Sequence, residues 1–141
     1  MRANLYSDSP IPALARAVQF AAARQKLIAG NIANIETPGF RPSDVDPREF
    51  QASLAASLEQ EKRTPDGALA FDEGGPVSFS SDGMHLEPTP LGDNVLFHDG
   101  NDRSAEHLMQ MLNENFYAFK AATQLVRFNF GMIDAAIRER P

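Results

Sequence analysis

The chain has 141 residues, and although 43% are hydrophobic, 20 of these are alanine and only 33 are Leu, Ile, Val or Phe, a thin supply of large core side chains for one domain. It contains no cysteine, which excludes a disulfide framework, a thiol nucleophile and a thiolate metal site, and no apolar run approaches the roughly 18 residues of a membrane span. The net charge of −6 sits entirely in the middle, where residues 64–102 carry eight acidic and no basic side chains, so there is no basic stripe to bind nucleic acid.

Residues 1–8 form an N-terminal tail. They lack the apolar core and small-residue cleavage site of a secretory signal, so any export is expected to need no removed leader. Ser9-Pro10 then reads as a helix start, a capping hydroxyl followed by proline at the first helical position. Apolar residues recur at Ile11, Leu14, Val18, Ala21, Ile28, Ile32 and Ile35, and Gln25 completes the alternation of threes and fours. This is a coiled-coil seam with one polar interruption. The helix is expected over 9–36, a rod of about 40 Å. It should end where Thr37-Pro38-Gly39 fits a turn with proline second and glycine third.

A second start follows at Asp46-Pro47, with Glu49 placed as in a capping box. Phe50, Leu54 and Leu58 fall at i, i+4 and i+8, giving a short helix with one apolar stripe within the 37–63 segment. Residues 64–102 are rich in glycine and proline and are expected to be mainly solvated loop. Val77-Ser78-Phe79 and Met84-His85-Leu86 alternate around Asp82-Gly83, which predicts one small β-hairpin. The last helix, within 103–141, starts near Asp102 or Ser104 and can run to Glu139, about 55 Å. Leu108, Leu112, Phe119, Ala122, Val126, Ile133 and Ala136 form its seam, with Asn115 and Asn129 as polar interruptions. Met111, Phe116, Leu125, Phe130 and Ile137 widen the stripe beyond what one partner helix covers, which implies further helices from other copies. The predicted class is therefore mainly α. Long N- and C-terminal helices pair as a coiled coil, with a short middle helix and an irregular middle that holds the hairpin.

Catalytic chemistry is not assembled anywhere. His98-Asp99 is the one His–carboxylate neighbour pair, and no serine elbow or phosphate-binding glycine loop occurs. Asp99-Gly100-Asn101-Asp102 lacks the spacing of a calcium loop and reads as a helix cap. The chain is expected to be no enzyme, with no cofactor, metal or small-molecule substrate.

The run Asn31, Ile32, Ala33, Asn34, then Thr37, Pro38, Gly39, Phe40 closely resembles the N-terminal signature of bacterial flagellar axial proteins. The later Ser43-Asp44-Val45-Asp46 and Asp99-Gly100-Asn101-Asp102 resemble its proximal-rod members. Ile35-Glu36 and Phe40-Arg41 depart mildly from the family pattern, as does Asp102. The resemblance covers residues 10–60 and 95–140. It implies an axial-protein (D0-like) coiled-coil core and a structural subunit of the proximal rod, located in the basal body within the periplasmic space. The subunit would be exported by the flagellar type III apparatus and would transmit torque. Implied partners are other copies, other rod subunits, the rod-base adaptor at the membrane ring, and the export gate. In that family a phenylalanine followed four residues later by an aliphatic residue is read by the gate. Phe50 and Leu54 fit, as do Phe128 and Met132, and a plain helix stripe against the rod explains the first pair equally. By the resemblance, Asn31 and Asn34 would bond between subunits rather than merely end a helix. The alternatives are a sister rod subunit, a helical adaptor or export chaperone, and an enzyme using His98 and Asp99.

Overall fold

Two long helices, α1 (Ile11–Asn34) and α3 (Asp102–Arg138), organise the molecule. Between them lie β1 (Ser43–Asp44), α2 (Pro47–Arg63), β2 (Val77–Ser80), β3 (Gly83–Leu86) and β4 (Thr89–Pro90). The structure is a computed structural model and describes residues 9–63, 69, 71, 74–80, 83–91 and 102–138. The N-terminal tail 1–8, His98, the Asp99-Gly100-Asn101 stretch and the residues after Arg138 lie outside the described residues. The fold is mainly α with a small antiparallel hairpin, as the periodicities predict.

The start of α1 uses the Ser9 hydroxyl, which accepts the Ile11 N–H at 3.3 Å, one of the donors that the first turn leaves unpaired. The helix ends at Asn34, two residues before Glu36. Ile35 N–H reaches back to the Ile32 carbonyl and Thr37 N–H to the Asn34 carbonyl, and the chain then turns. Phe40 N–H closes that turn on the Thr37 carbonyl at 3.1 Å, with Gly39 at φ 76°. A positive φ at the third position is what a type II turn requires, and glycine meets it without strain. At α2 the Asp46 carboxylate accepts Arg48 N–H at 2.8 Å, which caps the helix.

The two long helices run antiparallel. Ile28 packs on Leu108 and Met111, whereas Asn115, further along α3, bonds Ala21 and Gln25, further back along α1. This cluster buries Ile28, Leu108 and Met111, with Ile32, Ile35, Leu91 and Leu112 around it. The polar interruptions meet one another there. Asn115 Nδ2 donates to the Ala21 carbonyl at 2.8 Å and to Gln25 Oε1 at 2.7 Å.

A second cluster lies on the adjoining face of α1, where the middle of the chain folds back. Phe20, Val45, Phe50 and Val77 are buried, flanked by Ala17, Leu27, Leu54, Phe71, Phe79, Met84 and Leu86. Phe20 and Phe50 stack at 4.0 Å between centroids, and Phe71 leans on Phe79 at 4.4 Å. Arg16 lies over the Phe79 ring at 4.1 Å. The middle is thus less irregular than its glycine and proline content predicts. The β2–β3 hairpin pairs Val77 with Leu86 and Ser80 with Gly83. Gly83 (φ 121°) is therefore a strand-end residue rather than a turn centre, and Asp82 lies outside the described residues. A second two-stranded pairing, Ser43 with Pro90 and Asp44 with Thr89, holds the ends of this segment together.

Candidate assembly surface

On α1 the buried positions fall on two stripes one residue apart. Ala21, Gln25, Ile28, Ile32 and Ile35 face α3. Ala17, Phe20, Arg24, Leu27 and Asn31 face the middle segment. The second stripe was not legible from hydropathy, because two of its five members are polar. Both are paired. Arg24 Nε donates to the two Asp44 oxygens at 3.0 and 3.2 Å, and Arg24 Nη2 to Oδ2 at 2.6 Å, with both side chains 8% exposed. Asn31 Nδ2 donates to the Ser43 carbonyl at 2.6 Å, and Ser43 N–H donates back to Asn31 Oδ1 at 3.3 Å. A buried ion pair and a doubly bonded amide fix the orientation of the returning strand without leaving a polar atom unsatisfied.

Asn31, which the resemblance would have bond between subunits, is buried and makes these bonds within the chain. Asn34 bonds the Gly30 carbonyl of its own helix at 2.8 Å. Of the remaining signature residues, Ile32 packs against the α1–α3 cluster, Ala33, Thr37, Pro38 and Gly39 are exposed, and Phe40 is half-buried. The stripe of α2 also turns inward. Phe50 is buried and Leu54, half-buried, packs beside it.

The seam positions Ile11, Leu14, Val18, Phe119 and Val126 are half-buried, and Ile28 and Leu108 are fully buried. Ile133 departs from the predicted seam, at 45% exposed. The cause is register. Ile133 follows Asn115 by 18 residues, five helical turns, so it lies on the same face, but α1 begins too late to reach it. Asn129 likewise has no α1 partner and bonds the Leu125 carbonyl of its own helix.

Beyond α1 the distal half of α3 is left bare. Leu125, Phe128, Phe130, Met132, Ile133 and Ile137 are each at least 45% exposed, with Phe128 at 64% and Ile137 at 67%. Nearer the middle, Phe116 and Tyr117 are also exposed and meet edge to face. A groove of about 380 Å³ opens beside Phe116, lined by Ala22, Gln25, Lys26, Ala29, Phe116 and Phe119. So many large apolar side chains on one helix mark an interaction surface. Chemistry is sparse by comparison. His85 and His107 are exposed, and among the described residues no group of three His, Cys, Asp or Glu is placed to hold a metal ion. No described helix is long and apolar enough to cross a membrane. On the surface of α2, Glu59 is held below the usual carboxylate range by the hydrogen bond and charge of Lys62.

The fold is thus a pair of long helices of which one carries a bare apolar extension. A family described as "Flagella basal body rod protein" matches residues 12–41, nearly all of α1 and the turn that follows it. The chain is also 26% identical over 118 residues to the flagellar basal body rod protein FlgB of Borrelia hermsii, across 82% of this chain and 85% of that one. No solved structure matches. Both matches are to flagellar basal body rod proteins, the second of them a FlgB.

Proposed function

We propose that the chain is a structural subunit of the proximal rod, joined to other copies, to other rod subunits and to the rod-base adaptor. It is exported by the flagellar type III apparatus and passes torque along the shaft in the periplasmic space. The observation that carries this reading is the bare distal half of α3, whose apolar side chains need neighbouring helices to leave water. Among the described residues both buried clusters form without them, which supports a role of the exposed stripe in association.

Replacing Phe128 and Met132 together by glutamate tests this. The double variant should keep the circular dichroism and thermal midpoint of the parent chain yet fail to restore motility or rods to a deletion strain. Full restoration would remove the assembly role of α3. The parent chain should fractionate with basal bodies, whereas an adaptor or chaperone would stay in the cytoplasm.

Phe50 and Leu54 belong to the export reading, and their burial is compatible with it only if the gate meets the chain unfolded. Phe20→Ala opens the same core while leaving the Phe50–Leu54 spacing intact. Export lost in Phe50→Ala and kept in Phe20→Ala supports a gate signal. Equal export of the two variants ends it.

A further inference from the structure

We infer that copies of this chain join through two unlike surfaces, the distal stripe of α3 from one copy lying in the groove at Ala22, Lys26 and Ala29 of another. The inference rests on the rod-subunit reading and adds which surface meets which. Three observations on the two surfaces carry it.

The first is periodicity. Phe130, Ile133 and Ile137 repeat the face of Leu112, Asn115 and Phe119 five turns further along α3, so they present to a neighbour the same side that α1 covers earlier. The second is shape. The groove is lined by small Ala22 and Ala29 of α1 and by Phe116 and Phe119 of α3, which lets a helix bearing large side chains approach α1 closely. The opposite flank of α1 is closed by Phe50, Val77 and the Arg24–Asp44 pair, so the groove is the flank of α1 left open. The third is charge. Lys26 lines the groove and forms no ion pair among the described residues. Asp134 stands beside Ile133 and Ile137 and has only an exposed partner, Arg138 of its own helix, at 3.0 Å. Such an exposed pair holds weakly and can exchange for Lys26 of a neighbour.

Groove and stripe lie about 27 Å apart along α3, taking 1.5 Å per residue over 18 residues. One copy cannot lay its own stripe in its own groove, so the contact joins different copies.

The absence of native cysteine makes the test direct. Ala29→Cys and Ile133→Cys, both at exposed positions, are introduced in separate copies of the full chain and expressed together in the flagellated parent bacterium. Oxidation should give a disulfide-linked heterodimer in the basal-body fraction, with neither variant alone giving a dimer. Adding Lys26→Glu to the first variant should lower the yield about two- to fivefold, as expected for one exposed ion pair, and Asp134→Lys in the second should restore it. A dimer from Ile133→Cys alone would overturn the inference in favour of symmetric pairing of α3 ends. A bridge within one chain between Ile133→Cys and Leu5→Cys would overturn it by assigning the stripe to the chain's own N-terminus. Both variants present in the basal-body fraction with no heterodimer would refute the inference and leave the rod reading standing, whereas their absence from that fraction would refute both.

Discussion

The Arg24–Asp44 pair provides the sharpest energetic expectation, because it joins α1 to the returning middle segment at a buried point. Three donor–acceptor contacts of 2.6–3.2 Å bind one carboxylate, and both side chains are 8% exposed. Adding charged hydrogen bonds one by one would overstate the gain, since both ions lost their water on folding. The measurable quantity is the cost of leaving one ion buried alone, about 3–5 kcal/mol. Arg24→Leu should therefore lower stability by about that amount. With a urea slope of about 1–3 kcal/mol/M, the midpoint should fall by at least about 1 M. Arg24→Leu with Asp44→Leu should recover most of the loss, because a buried ion pair replaced by apolar side chains is often neutral or better. Hydrogen exchange should locate the damage in β1, α2 and the β2–β3 hairpin, with Leu108 to Phe119 still protected by α1. An Arg24→Leu unfolding free energy within about 0.5 kcal/mol of the parent would mean the pair is not held dry, and the reasoning would fail.

Other expectations follow from the same geometry. Ile28→Ala empties a site that is 0% exposed between α1 and α3 and should cost about 2–5 kcal/mol in chemical denaturation. Gly39→Val meets no neighbouring atom but forces a β-branched residue to φ 76°. It should cost about 1–2 kcal/mol, with Gly39→Asn costing less in the same melts. Lys62→Met should return the Glu59 titration, followed by NMR, to the ordinary carboxylate range. A lowered folded-state pKa stabilises above the unfolded value and is lost as pH falls through the folded one. At this fully exposed site the effect should appear in the titration and not in the melting temperature.

The sequence made the α1–α3 pairing legible through its 4–3 spacing, including Gln25 and Asn115 as polar breaks in that spacing. It did not show that these two breaks bond to each other, because register is a property of the pair and neither helix carries it alone. The other face of α1 escaped for a different reason. Arg24 and Asn31 count as polar in any hydropathy pattern, although pairing with Asp44 and Ser43 makes them interior residues. The usable signal was the spacing of Ala17, Phe20, Arg24, Leu27 and Asn31, which repeats the seam one residue earlier. The middle segment was read as solvated because glycine, proline and acid dominate residues 64–102. Yet Val77, Phe79, Met84 and Leu86 alternate correctly to cover Phe20 and Phe50. The surplus width of the α3 stripe was legible in part: Phe116, Leu125, Phe130 and Ile137 are exposed as read, whereas Met111 is buried against α1 and the exposed Phe128 and Met132 fall outside the spacing.

Hydrogen exchange on the dilute chain, repeated on the same chain within isolated basal bodies, tests the central claim most directly. The account predicts that residues 20–31 and 108–119 are protected in both states. Residues 125–138 should exchange readily when dilute and become protected in the basal body. Unchanged exchange over 125–138, or no chain in the basal-body fraction, would contradict a rod subunit assembled through the bare half of α3.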